Sequence, residues 1–162
     1  MLSTLHTNDA PSAVTRLLEL GIAPYLLNAT FNGVMAQRLL RTLCKHCKQP
    51  VPLHRAEDQA AWDALVVPFK ATRPTQVYKP VGCLECRMTG FLGRVGIYET
   101  LVHTPAIKQL IAAGADLAAV REQAMKEGMK PLRISGALKV AAGLTTIDEV
   151  LKVAPPVRET QA

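Results

Sequence analysis

Cys44-Lys45-His46-Cys47 and Cys83-Leu84-Glu85-Cys86 decide how this chain is read. They hold all four of its cysteines, each pair separated by two residues. That spacing lets both sulfurs of a pair face one point about 2.3 Å away, as tetrahedral zinc requires. The 35 residues between Cys47 and Cys83 make a longer loop than the common zinc-ribbon spacing. A structural four-cysteine zinc site is the expectation, with iron in the same cage as a variant. The bland alternative is two disulfides, although adjacent-knuckle bridges would be strained. A closed four-sulfur shell leaves no open position for water, so such a metal holds structure and performs no chemistry.

The stretch enclosed by the two pairs has its own texture. Pro50, Pro52, Pro68, Pro74 and Pro80 punctuate it, one helix is predicted from Glu57 to Val66, and little else apolar is available to pack. Pieces this small usually need a metal or disulfides to stay folded. A structural zinc supplies on the order of 10 kcal/mol or more of coupled folding free energy. Residues 44–86 therefore read as a zinc-clamped excursion whose ends return to one point.

Upstream, Asn8 and Asp9 offer N-caps to a helix with Pro11 in its first turn and Val14, Leu17 and Leu18 at helical spacing, stopped by Gly21. A second helix starts near Pro24, with Leu27, Thr30, Phe31 and Val34 on one side. From Met35 to Arg41 the alternation predicts a strand, with helix as the alternative because Ala, Gln, Leu and Arg favour it. Downstream, Gly90-Phe91-Leu92-Gly93 reads as a turn and Arg94 to Val102 as a strand. Helices follow. One carries Ile107, Leu110 and Ile111, and one is capped by Asp116 with Leu117, Val120 and Ala124 inward. A third runs to Gly143, and the last opens on a capping-box pattern, Thr146-Ile147-Asp148-Glu149.

At 162 residues the chain is one domain or one core with a satellite lobe. Its 49% hydrophobic content can build a core, but only seven residues are aromatic. No apolar run approaches the roughly 18 to 20 residues of a membrane span, and the first residues lack the pattern of a signal peptide. With thiols that read as metal ligands, the expected location is cytoplasmic. A net charge of +6 permits anionic lipid, nucleic acid or acidic protein as partner without choosing among them. Arg38, Arg41, Lys45, Lys48 and Arg55 cluster about the first knuckle, which supports a second reading as a free-standing zinc-ribbon module that binds nucleic acid. Such modules add stacking aromatics, and the lobe has only Trp62, Phe69 and Tyr78. The run reads more simply as a solvated face or partner surface, and no nucleic acid is expected.

One further candidate opens the chain. Leu2-Ser3-Thr4-Leu5-His6-Thr7-Asn8-Asp9 runs from an apolar stub, read as the end of a strand, into a capped helix. Ligands bind at such strand-to-helix junctions, and helix N-termini favour phosphate oxygens. His6 there has the chemistry to donate to a phosphate, although a histidine before an N-cap is also ordinary structure. His54 and His103 have weaker claims, and His46 lies inside the first knuckle where four thiols already suffice.

Ser3 to Ala10 followed by Ala13-Val14-Thr15-Arg16-Leu17 resembles the His-box region of the secretion ATPases that drive type II secretion and type IV pilus assembly. The resemblance continues through Asn32-Gly33-Val34-Met35-Ala36-Gln37-Arg38-Leu39 and resumes at Gly82 to Cys86 and Thr89 to Glu99. It ends with Gly143-Leu144-Thr145-Thr146-Ile147-Asp148-Glu149-Val150, covering nearly the whole chain in order. It implies an α/β fold: the C-terminal portion of a RecA-like P-loop NTPase core with a tetracysteine zinc subdomain and a helical C-terminal subdomain. The partition it suggests is ATPase core over residues 1–43, zinc lobe over 44–86, strand plus helices over 87–154 and a disordered tail over 155–162. By the same resemblance, His6 is the catalytic His-box histidine near the γ-phosphate, and Cys44, Cys47, Cys83 and Cys86 are the zinc ligands. Arg38 and Glu99 match recurrent positions and read as structural pairs. The implied partners are the other subunits of a homohexamer and inner-membrane platform proteins, with the motor peripheral to the bacterial inner membrane on its cytoplasmic side.

The departures are as informative. A P-loop needs Gly-x-x-x-x-Gly-Lys-Ser/Thr to cradle phosphates, and no Gly-Lys dipeptide occurs in this sequence. No acidic Walker B segment precedes His6. Arg133-Ile134-Ser135-Gly136 stands where the family usually has an acidic residue before the glycine. The chain is expected to be the C-terminal third of a motor and not to hydrolyse ATP by itself, so that ATP and Mg²⁺ belong only to the full-length protein.

Overall fold

The computed structural model describes residues 2–69, 71–114, 116–154 and 156. In chain order its elements are α1 (Ala10–Glu19), α2 (Pro24–Thr30), β1 (Gly33–Leu43), β2 (Gln49–Pro52), α3 (Ala56–Val66), β3 (Gln76–Lys79), a 3-10 turn (Leu84–Cys86), β4 (Phe91–Val102), α4 (Pro105–Ala112), α5 (Leu117–Lys126), α6 (Leu132–Ala141) and α7 (Ile147–Val153). This is a mixed α/β chain with two two-stranded sheets, β1 with β4 and β2 with β3. It divides into two compact units, Met1–Gln37 with Tyr98–Pro131 and Arg38–Ile97 with Leu132–Ala162.

In the first unit the helix ends are written into the sequence. Asp9 caps α1, its Oδ1 accepting the Ser12 N–H at 2.9 Å. At the other end Gly21 takes φ +87°. The Gly21 N–H then closes on Leu18 O at 2.9 Å and the Ile22 N–H on Leu17 O at 3.2 Å, so glycine stops the helix as expected. Thr104 Oγ1 accepts the Ile107 N–H at 3.3 Å to start α4, and Asp116 Oδ1 accepts the Ala119 N–H at 2.8 Å to start α5. The apolar stripes of these helices meet in one core containing Val14, Leu27, Leu101, Ile107, Ile111 and Val120. Two of the carboxylates enclosed here are partnered. Arg121 pairs with Asp9 at 2.7 Å, and Glu99 Oε1 accepts the Ala10 N–H at 2.8 Å. The structural pairing expected of Glu99 is therefore with a helix end. His103 Nδ1 lies 2.7 Å from Phe31 O, its ring edge-on to that of Phe31.

The second unit is built on strands and the C-terminal helices. Along β1, Val34, Ala36, Arg38 and Leu40 are sheltered while Met35, Gln37 and Leu39 are exposed. That two-residue period, together with pairing to β4, overrides the helix propensity of Ala, Gln, Leu and Arg. Leu40 and Ile97 pack with Trp62 and Leu65 of α3, Val140 of α6 and Val150 of α7. The helix inside the 44–86 stretch is thus supplied with a core by α6 and α7. The Arg41 guanidinium bonds the Glu149 carboxylate through both oxygens, with Nε at 2.9 Å from Oε2, and stacks 4.2 Å from the Phe91 ring centroid. Hydrogen bonding from Arg41 outweighs desolvation and holds the Glu149 carboxyl below the usual glutamate range.

Four local expectations are revised. The antiparallel β2–β3 pair, with Pro50 opposite Tyr78 and Pro52 opposite Gln76, was not legible because two prolines sit in β2. A two-stranded sheet tolerates them because a free edge needs no N–H from proline. The stub before α1 forms no strand: residues 2–7 belong to no sheet, and all but Thr7 are exposed. The turn expected at residues 90–93 contracts to Gly90, because β4 already begins at Phe91. The capping box of α7 is half made: Thr146 Oγ1 accepts the Glu149 N–H at 3.3 Å, while the Glu149 carboxylate turns to Arg41 instead of returning to Thr146. Of the tail expected over 155–162, only Pro156 is described, so that expectation lies outside the described residues.

Gly136 of α6 packs directly against Val150 of α7. A Cβ built there would lie 2.3 Å from Val150 Cγ1, and Val150 is fully buried. In an exposed helix Gly→Ala gains about 1 kcal/mol from propensity. Here overpacking, at roughly 1–3 kcal/mol, should win. Gly136→Ala is expected to lower the melting temperature, and adding Val150→Ala should recover less than it costs alone. A stabilised single variant in thermal unfolding refutes this packing account.

Candidate metal centre

The first knuckle starts where β1 stops. The Leu43 N–H donates to Leu144 O at 2.8 Å, the Cys44 N–H to Gly90 O at 2.9 Å, and the Lys48 N–H closes the turn on Cys44 O at 3.0 Å. The Lys48 ammonium then donates to Gly143 O at 2.7 Å and lies 4.5 Å from the Tyr78 ring centroid. The second knuckle enters at Gly82 with φ +115°, makes the 3-10 turn, and leaves through Arg87, Met88 and Gly90 at φ 53°, 62° and 76°. Successive left-handed residues fold the chain back. The Met88 N–H reaches Cys83 O at 2.8 Å, and the Gly90 N–H points at Cys86 Sγ at 3.2 Å. A Cβ on Gly90 would lie 2.4 Å from the Pro80 Cβ, so both its φ and its space call for glycine.

The two turns bring four sulfurs together from opposite ends of a long loop. All lie within 4.8 Å of one another, and Cys44–Cys83, Cys47–Cys86 and Cys83–Cys86 are each 3.8 Å apart. A tetrahedron with metal–sulfur bonds of 2.3 Å has sulfur–sulfur edges of about 3.8 Å. The thiols are free, and their separation is far from the roughly 2.05 Å of a disulfide, which sets the two-disulfide alternative aside. Backbone N–H groups already face the sulfurs: Gly82 to Cys47 at 3.3 Å, and Cys83 and Gly90 to Cys86, both at 3.2 Å. Such donors stabilise negative sulfur.

As thiols the four are unequal. At Cys86, burial raises the pKa, but the N–H groups of Cys83 and Gly90 and the neighbouring thiols outweigh it and bring it down to about 6. At Cys83, the Cys86 backbone lowers the pKa, while burial and the thiols of Cys86, Cys44 and Cys47 push it up to about 11. Four thiolates this close repel one another unless a cation offsets the charge, and metal uptake drives their deprotonation. Donor type, spacing and N–H placement fit a tetrahedral divalent ion, with zinc first.

The other sequence candidates lie elsewhere. His6 is exposed, and no described residue hydrogen-bonds to its ring. Four residues on, the first amides of α1 are already engaged by carboxylates, Ala10 by Glu99 and Ser12 by Asp9. His46 and His54 are exposed, whereas His103 is buried in the first unit's core. Of the basic run, Arg41 holds Glu149, Lys48 holds Gly143 O and Arg55 pairs with Asp58 at 3.4 Å. Sequence reasoning missed the supporting roles of Lys48, Tyr78 and Gly90. A lysine directly after Cys47 and a glycine four residues past Cys86 were the available signals.

The profile of a family described as Type II/IV secretion system protein matches residues 1–152. The type IV pilus assembly ATPase TfpB of Acinetobacter baylyi is 48% identical over 155 residues, which cover 96% of this chain and 26% of that protein. The type IV pilus assembly ATPase PilB of Pseudomonas aeruginosa is 41% identical, with 94% of this chain and 26% of that protein covered. The type II secretion system ATPase E of Vibrio cholerae is 39% identical over 157 residues, covering 94% and 29%. The chain thus spans about a quarter of the length of these relatives.

If Gly90 is the residue that lets the second knuckle fold back, Gly90→Ala should strain the left-handed turn, crowd Pro80 and pull an N–H away from Cys86. The expected outcome is a loss of roughly 1–3 kcal/mol in unfolding free energy and faster reaction of the four thiols with a thiol reagent. Unchanged stability and thiol reactivity would show that the turn does not depend on glycine.

Proposed function

This chain belongs to the type II/IV secretion system protein family, and we propose that it is the C-terminal part of a hexameric ATPase that powers type II secretion or type IV pilus assembly. The observation that carries the reading is the continuous family match over residues 1–152 together with a four-sulfur cluster set within it. In this reading residues 1–43 complete a RecA-like core, 44–86 form the zinc lobe, and 87–154 add a strand and helices. Cys44, Cys47, Cys83 and Cys86 hold one zinc. A bound zinc supplies folding free energy there and no chemistry, because four thiolates fill its shell.

The nucleotide chemistry is divided in the same proposal. The sequence contains no Gly-Lys dipeptide with which to build a P-loop, so ATP and Mg²⁺ are held by groups outside this segment. His6 is the residue this segment offers to the γ-phosphate, as a hydrogen-bond donor when charge moves in the transition state. The motor works as a homohexamer at the cytoplasmic face of the inner membrane against platform proteins. Among the described residues no helix is long and apolar enough to cross a membrane. The nucleic-acid reading gains nothing from the structure, since Arg41, Lys48 and Arg55 are engaged within the chain.

Three sets of measurements test the proposal. Purified chain should carry one zinc per molecule by elemental analysis, and Cys83→Ser should lose it together with several kcal/mol of stability; metal-free protein of equal stability ends the zinc assignment. The chain alone should show no ATP hydrolysis. In the full-length motor, His6→Ala should cut kcat roughly 10²- to 10³-fold while the ATP dissociation constant stays within a few-fold. Normal turnover, or loss of binding and turnover together, would leave His6 a structural residue.

A further inference from the structure

The four cysteines differ in how far they are exposed to solvent. Cys44 and Cys86 are buried, at 0% and 3% exposure, whereas Cys47 and Cys83 are only partly covered. The covering also differs: Cys86 accepts two backbone N–H groups, and the residue beside Cys83, Leu84, is 90% exposed at the start of the 3-10 turn. The cluster therefore has an inner pair and an outer pair. Each outer sulfur has an inner one within reach, Cys83 beside both Cys44 and Cys86 at 3.8 Å, and Cys47 beside Cys86 at 3.8 Å.

We propose that Cys47 and Cys83 form a modification site for small electrophiles and hydroperoxides, through which the metal cage is opened from one side. The inference rests on the zinc reading. With a metal bound, all four sulfurs are thiolates, so protonation no longer ranks them and access does. Oxidation follows thiolate character and exposure. A hydroperoxide meets the Cys83 thiolate, whose sulfur attacks the peroxide oxygen. The O–O bond breaks, a hydroxide or alkoxide leaves, and Cys83 becomes a sulfenic acid. The thiolate of Cys44 or Cys86, 3.8 Å away, then attacks the sulfenic sulfur and expels hydroxide. Two electrons have passed from two sulfurs to one peroxide, a disulfide has formed, and the zinc has lost two of its four ligands. Cys47 follows the same course with Cys86. A cage open on one side gives a defined first product, and that asymmetry is what the covering of the sulfurs predicts.

The cage also joins the ends of two strands. The first knuckle follows β1 directly, the second precedes β4, and Cys44 N–H to Gly90 O ties them at 2.9 Å. Losing the metal removes one of the ties at that junction, so a chemical event at the outer sulfurs loosens the link between the two strand ends.

The test uses the intact zinc-loaded chain and begins with its zinc content. If the protein holds no zinc, the zinc reading fails and this inference is withdrawn with it. Zinc-loaded protein is then treated with less than one equivalent of N-ethylmaleimide, and separately of hydrogen peroxide. Singly modified molecules are mapped by mass spectrometry while a colorimetric chelator records released zinc. The expected result is at least about tenfold more adduct on Cys47 and Cys83 than on Cys44 and Cys86. Disulfides should contain an outer sulfur, with one zinc released per disulfide. Equal labelling of the four, first labelling of Cys44 or Cys86, or a Cys44–Cys86 disulfide would overturn the proposal, as would zinc retained after the outer sulfurs are modified. Cys47→Ser and Cys83→Ser are not needed for the reading, so a folding failure in either leaves the experiment intact.

Discussion

The structure of the second unit depends on closing one long loop. Cys47 and Cys83 are separated by 35 residues, and bringing two such distant points together costs chain entropy that rises only slowly with length, about 0.6 kcal/mol per doubling. What makes closure expensive is therefore less its length than the demand that four sulfurs converge at once. The backbone prepares for this before any metal is considered. Gly82, Arg87, Met88 and Gly90 all take positive φ, and a non-glycine residue pays for such a conformation unless its surroundings over-determine it. The two consecutive left-handed non-glycine residues are held by backbone bonds, Arg87 N–H to Leu84 O at 3.0 Å and Met88 N–H to Cys83 O at 2.8 Å.

The clasp does not act alone, because its first knuckle is tied to the far end of the sequence. Leu43 reaches Leu144, Lys48 reaches Gly143, and Thr145 Oγ1 donates to Arg41 O at 2.9 Å. These are backbone anchors placed at the C-terminal end of α6, where Gly143 takes φ +68° and its would-be Cβ would meet the Tyr78 ring at 2.7 Å. The knuckle, the β3 tyrosine and the α6–α7 turn are consequently one packed junction. This also explains why α3 has a core. Trp62 and Leu65 are enclosed by residues from α6 and α7, sixty or more positions away in sequence, so the lobe's apolar poverty is compensated from outside it.

How much of this was legible follows from the range of each interaction. Local signals were: Asp9, Asp116 and Thr146 accept from amides three residues on, and Gly21 and Gly143 end helices through positive φ. A cap is decided within four residues, which a sequence displays directly. The cysteine pairs were legible for the same reason, each being a two-residue turn. Long-range choices were not. Glu149 sat in a capping-box position, yet its carboxylate went to Arg41, 108 positions away, because a fork of two charge-assisted hydrogen bonds outweighs one backbone N–H. The β2–β3 pair was hidden by Pro50 and Pro52, since propensity argues against strand wherever proline is found and cannot know that an edge is free.

The same distinction between local and distant bears on His6. A helix N-terminus attracts anions because its first amides lack partners. At α1 those amides are not available: Asp9 takes Ser12, Glu99 takes Ala10, and the Asp9 carboxylate is itself paired with Arg121. Two carboxylates at that end would repel a phosphate rather than cradle it. The local pattern of strand, histidine and capped helix thus suggests a phosphate site that the tertiary contacts fill with protein groups. Any part His6 plays in phosphate chemistry must come from its own imidazole, acting on a nucleotide positioned by other residues. Under the proposed function its effect belongs on turnover and not on affinity, and a substitution of Asp9 or Glu99 should act through the stability of α1.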